Sequence, residues 1–128
     1  MKPANGTCTV LVIEDEEMVM DVSRKMLEKL ECHVLQARNG SEANRVVKTY
    51  GGIIDLVIMD INLPDIKGDA LYPAIIKARP NMKVIVSSGY ELEGPVREIL
   101  DAGAKGFIQK PYSLDALSDK LNEVMGVC

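Results

Sequence analysis

Asp55-Leu56-Val57-Ile58-Met59-Asp60-Ile61-Asn62-Leu63-Pro64 is the stretch on which the fold turns. Four consecutive apolar residues stand between two aspartates, without the polar alternation of a strand that has one wet face. Such a run fits a strand covered on both sides, the usual environment of a parallel sheet packed between helices.

Outward from this strand the same alternation repeats. Val10-Leu11-Val12-Ile13 is a second apolar run, ended by Glu14-Asp15-Glu16-Glu17. Val19, Val22, Met26 and Leu30 then recur at helical spacing, which predicts an inward stripe with Arg24, Lys25, Glu28 and Lys29 opposite. His33-Val34-Leu35 reads as a short strand. Ser41 is the expected cap of a helix carrying Ala43, Val46, Val47 and Tyr50, and Gly51-Gly52 its stop. Beyond the central strand, Leu71, Ile75 and Ala78 mark a helix that should begin close before Pro73, because proline has no N–H to donate. Val84-Ile85-Val86 is the fourth strand, and Pro95 opens a helix holding Val96, Ile99 and Leu100. Gly106-Phe107-Ile108 is the fifth strand. Ser113 caps a last helix with Leu114, Leu117, Leu121 and Val124 inward. Five strand–helix units predict an α/β three-layer sandwich, (βα)5, around a parallel five-stranded sheet.

The 128 residues are the size of one domain. Apolar residues make up 47% and charged residues 27%, the balance of a soluble globule. With 15 basic against 19 acidic residues the net charge is −4, which argues against direct nucleic-acid binding. No apolar run approaches the roughly 20 residues needed to span a bilayer, so no membrane insertion is expected. Met1 to Thr7 lacks the plan of a signal peptide. Cys8, Cys32 and Cys128 form no CxxC pair; they read as reduced thiols of a cytoplasmic protein, with Cys8 and Cys32 as buried neighbours and nothing in the sequence to suggest redox chemistry. His33 reads as neither phospho-donor nor metal ligand, and Lys67-Gly68 as loop geometry.

Ligands of open parallel sheets bind at the carboxyl ends of the strands. Here those ends carry Glu14-Asp15, Asp60, Ser87-Ser88-Gly89 and Lys110-Pro111. Clustered carboxylates repel unless a cation joins them, and hard oxygen donors suit Mg2+. A lysine and a hydroxyl beside them would hold an anion such as phosphoryl. An aspartate at the centre of such a set suits attack on phosphorus, giving an acyl phosphate. Singly, each residue has a plain structural use: acids favour a helix start, Asp60 suits a turn, and Lys110 suits the surface. Their occurrence together at four strand ends favours a site.

These residues resemble the receiver domain of bacterial two-component response regulators. Val12-Ile13-Glu14-Asp15 is similar to that family's acidic pair, and Asp55 to Pro64 to its phospho-acceptor segment. Ser88-Gly89 is similar to its hydroxyl-plus-small-residue switch, and Lys110-Pro111 to its lysine followed by a cis peptide. The resemblance runs from about Thr9 to Met125 and implies a flavodoxin-like sheet of order 2-1-3-4-5. It places the receiver domain at residues 9–126, with residues 1–8 an N-terminal extension or linker.

By the resemblance, Asp60 would take phosphoryl from a histidine kinase or histidine phosphotransfer protein. Glu14, Asp15, Asp60 and the backbone carbonyl of Asn62 would hold Mg2+, with Mn2+ as a substitute. Lys110 would pair with the phosphoryl oxygens. Ser88 would move to bond them while Phe107 turns inward, altering the face of the fourth helix, fifth strand and fifth helix. An unknown downstream protein would read that face, through which family members also form weak homodimers. Glu14 stands where aspartate is frequent, one methylene longer. Asn62 and Tyr90 would modulate the phosphoryl lifetime, Tyr90 by screening it from water. The segments around Ser88-Gly89-Tyr90 and Gln109 to Leu114 resemble receivers fused to sensor kinases, so both a single-domain regulator and a hybrid-kinase module fit. The competing readings are an Asp-nucleophile, Mg2+-dependent phosphohydrolase and a receiver-like interaction module that is never phosphorylated. The first would want an acid two residues after Asp60, where Asn62 stands. The second typically lacks the acceptor or the lysine, and this chain has both.

Overall fold

In the computed structural model, which describes residues 8–89 and 95–125, strands and helices alternate as the apolar runs require. They are β1 (Cys8–Ile13), α1 (Glu17–Lys29), β2 (Cys32–Ala37), α2 (Gly40–Thr49), β3 (Leu56–Asp60), α3 (Gly68–Ala78), β4 (Val84–Ser88), α4 (Pro95–Asp101), β5 (Gly106–Gln109) and α5 (Leu114–Met125). The strands pair in parallel in the order β2-β1-β3-β4-β5. β1 starts at Cys8, whose pairing with Cys32 draws the last residue of the expected extension into the sheet.

Every residue of β3 and β4 is buried, because helices cover both faces of the sheet. Successive side chains of a strand point to opposite faces, so each strand feeds two cores. Val10, Val12, Leu56, Ile58 and Ile85 pack with Met20 and Leu27 of α1 and Leu117 and Leu121 of α5. Leu11, Ile13, Val57, Met59, Val84 and Val86 pack with α2, α3 and α4.

Three local expectations are corrected. The buried residues of α1 are Met20, Ser23 and Leu27, while Val22 is 46% and Met18 79% exposed. The helix is thus turned by one position from the predicted stripe. Ser23 is buried because its hydroxyl meets the Tyr112 hydroxyl at 2.7 Å. Secondly, α2 is capped by Asn39 and not by Ser41. The Asn39 side chain accepts from the Glu42 N–H at 2.8 Å, while the Glu42 carboxylate accepts from the Arg38 N–H at 2.9 Å. The helix stops at Tyr50, before the glycines; the Arg79 guanidinium donates to the carbonyls of Val47, Tyr50 and Gly52 and holds the turn. Thirdly, Pro73 lies well inside α3. It is tolerated because both it and Asp69, whose carbonyl loses a donor, are exposed to water.

Candidate functional site

The β1 backbone runs straight from a buried apolar strand into Glu14, whose N–H donates to the Ala37 carbonyl at 3.0 Å. That bond holds Glu14 in line with the sheet, and the residue is 3% exposed. β3 ends on Asp60, 4% exposed, directly opposite Ser87 of β4. Carboxylate oxygens of Glu14, Asp15 and Asp60 all lie within 4.8 Å of one another. The first and last are buried, and Asp15 opens to solvent.

Lys110 enters this group from the loop after β5. Its Nζ lies 3.0 Å from Glu14 Oε1 and 3.4 Å from Asp60 Oδ2. The Lys110 N–H donates to the Ser88 carbonyl at 2.7 Å, which ties the lysine to the end of β4, and the Lys110–Pro111 peptide is cis. Asn62 donates its backbone N–H to Asp60 Oδ1 at 3.1 Å and turns the loop back over the aspartate.

One ammonium does not balance this many carboxylates. Burial pushes the Glu14 carboxyl above its ordinary range and the Asp60 charge adds to this, outweighing the hydrogen bond from Lys110. Burial alone would lower the Lys110 pKa, but the bond to Glu14 and the charges of Asp60 and Glu14 carry it upward. The Glu14 shift is thus mainly one of burial, and the Lys110 shift one of neighbouring negative charge. The donors are all hard oxygens, two of them with little access to water, so the residues fit a small divalent cation.

A cleft of about 690 Å³ lies over the group. Asp15, Asp60, Asn62 and Lys110 line its charged wall, and Met18, Val19, Val22 and Tyr112 its apolar one. Sequence reasoning missed this second wall. Its signal was in the polar residues of α1: Asp21, Lys25, Glu28 and Lys29 centre the wet face, and Met18 and Val22 fall at its edge.

The remaining candidates on β4 and β5 lie at the same end of the sheet or below it. Ser88 is buried at the last position of β4, opposite Gln109 and one residue beyond the pair formed by Asp60 and Ser87. Phe107 is half-buried on β5 and packs on the core beneath α3 and α4. Gly68 has a packing role: a Cβ there would approach Ile61 to 3.0 Å and Ile99 to 3.1 Å. Tyr90 lies outside the described residues.

Comparison with known proteins agrees with this geometry. The family model for the response regulator receiver domain matches residues 10–122. The chain is 34% identical over 122 residues to the sensor kinase CckA of Brucella abortus, covering 94% of this chain and 13% of the kinase. It is also 34% identical over 116 residues to the chemotaxis protein CheY of Thermotoga maritima, covering 90% of this chain and 95% of that one. Among solved structures, the CheX-CheY-BeF3-Mg2+ complex from Borrelia burgdorferi superposes with a TM-score of 0.85 at 26% identity, over 91% of this chain and 88% of that chain.

Proposed function

This chain belongs to the response regulator receiver domain family of two-component systems, and on that premise we propose that it is switched by phosphorylation of Asp60. The observation that carries this is the buried Asp60 at the end of β3, with two further carboxylates within 4.8 Å and Lys110 beside it. An Asp60 oxygen attacks the phosphorus of a phosphohistidine on a histidine kinase or phosphotransfer protein. The P–N bond breaks, and the imidazole leaves with a proton.

Glu14, Asp15, Asp60 and the Asn62 carbonyl would hold Mg2+, which would supply charge neutralisation for the transferring group. Lys110 leaves Glu14 for the new phosphoryl oxygens, and Ser88 donates its hydroxyl to them. Phe107 follows inward, changing the α4–β5–α5 face that a downstream protein reads. The exposed Met18 and Val22 beside the acceptor supply the apolar contact for the phospho-donor. The receiver occupies residues 9–126 together with Cys8, which opens β1, and works in the cytoplasm. Among the described residues no helix is long and apolar enough to cross a membrane.

Incubation with Mg2+ and acetyl phosphate should add one phosphoryl group by intact mass. The adduct should be absent in Asp60→Asn and in the presence of EDTA. Failure to form it, also with a panel of phosphorylated histidine kinases, would overturn the proposal, and multiple turnover of phosphate esters would point to a hydrolase.

A further inference from the structure

We propose that Cys8 and Cys32 form a peroxide-oxidised site that closes into an intramolecular disulfide between β1 and β2. The site is independent of the receiver reading, because it lies at the amino ends of the strands, the opposite end of the sheet from Asp60. The two residues are direct partners in the parallel register of β1 and β2. Neighbouring strands run roughly 4.8 Å apart, inside the Cα separation of about 4.4–6.8 Å that a disulfide spans. Their sulfurs are already in contact, with Sγ to Sγ at 3.0 Å. A covalent S–S bond of about 2.04 Å therefore needs about 1 Å of approach, within reach of side-chain rotation.

Access divides the roles. Cys8 is half-buried and open to a small oxidant, whereas Cys32 is 7% exposed. The Cys8 sulfur attacks one oxygen of a hydroperoxide such as H2O2. The O–O bond breaks, the thiol proton leaves with the departing hydroxide as water, and Cys8 becomes a sulfenic acid. The Cys32 sulfur then attacks the Cys8 sulfur, the S–O bond breaks, and hydroxide leaves with the Cys32 proton as a second water. Two thiols are oxidised by two electrons, and one peroxide is reduced. A metal is the weaker occupant: among the described residues only Glu14, Asp15 and Asp60 group three potential ligands, so the thiols would offer two donors.

The bond would close a ring containing all of α1, between residues 24 apart in sequence. Ring closure of that size should raise Tm by roughly 5 °C or more. The test uses the Cys128→Ser chain, which leaves two thiols, treated with stoichiometric H2O2. The expected product is lighter by two hydrogens, yields a Cys8–Cys32 cross-linked peptide, melts higher and reverts with dithiothreitol. Cys8→Ser in the same background should give none of these while melting close to the reduced parent. Sulfinic or sulfonic acid at Cys8 with Cys32 still titrating as a thiol would overturn the proposal. So would two intact thiols after excess peroxide, or a dimer joined through Cys8.

Discussion

The strand β3 is bracketed by two aspartates that fare very differently. At its entrance, Asp55 exchanges two hydrogen bonds with Thr9: its N–H donates to the Thr9 carbonyl at 2.8 Å, and its Oδ2 accepts from the Thr9 N–H at 2.7 Å. The carboxylate stitches β3 to β1, beside water. At its exit, Asp60 is buried, accepts at 3.1 and 3.4 Å, and shares its lysine with Glu14. One carboxylate ties two strands together within reach of water, while the other is buried among two further carboxylates within 4.8 Å. Binding potential goes with the second kind.

The sharpest way to break this contrast is phosphoryl uptake itself. Asp60→Asn should abolish the acetyl phosphate adduct, and Asp55→Asn should label to the same extent as the parent; labelling lost in both would put the difference down to folding. Mg2+ provides the next largest effect. At about ten times its Kd it should stabilise the parent by about 1.4 kcal/mol, read as a rise in Tm, and Glu14→Gln should lose most of that rise.

Stability without metal should then separate the two aspartates by sign. Asp55→Ala removes the acceptor for the Thr9 N–H and should cost about 1–2 kcal/mol in a denaturant titration. Asp60→Asn relieves carboxylate repulsion and should leave the protein as stable as the parent or more so, since Glu14 keeps Lys110 at 3.0 Å. A clear loss of stability there would mean that Asp60 is structural after all.

Asp65 supplies the smallest effect, from the loop between β3 and α3 that meets the start of α2. Hydrogen bonds from the backbone N–H groups of Gly40, Ser41 and Ile66 hold its carboxyl below the ordinary value of 3.8. A carboxylate depressed in the folded state contributes stability that is present above its unfolded value and lost as pH falls through the folded one. Asp65→Asn should therefore melt slightly lower at neutral pH and show a shallower loss of stability in acid, measured as Tm against pH.

The strands were legible because a strand covered on both faces has to be apolar along its length, and Leu56 to Met59 and Val84 to Val86 are. Helix orientation was less so. In α1 an apolar stripe drawn through Val19 and Val22 competes with one through Met20 and Leu27, and choosing the latter requires accepting a buried Ser23, whose hydroxyl meets that of Tyr112, 89 residues away. The α2 boundary failed similarly, because Ser41 and Asn39 are both good caps and Gly51-Gly52 a good stop. Asn39 takes the cap while Asp65 holds the Gly40 and Ser41 N–H groups, and Arg79 from a distant helix end fixes the exit.

Local pattern alone determined the succession of strands and helices, and with it the strand ends on which Glu14, Asp15, Asp60, Ser88 and Lys110 would fall. Tertiary structure decided which of them meet. Lys110 stands closer to Glu14, 96 residues away, than to Asp60, while the Cys8 and Cys32 thiols touch. Periodicity is a property of a few neighbouring residues, set by backbone geometry and the need to bury apolar surface. Distances between remote side chains depend on strand order and register, which only the packed sheet establishes.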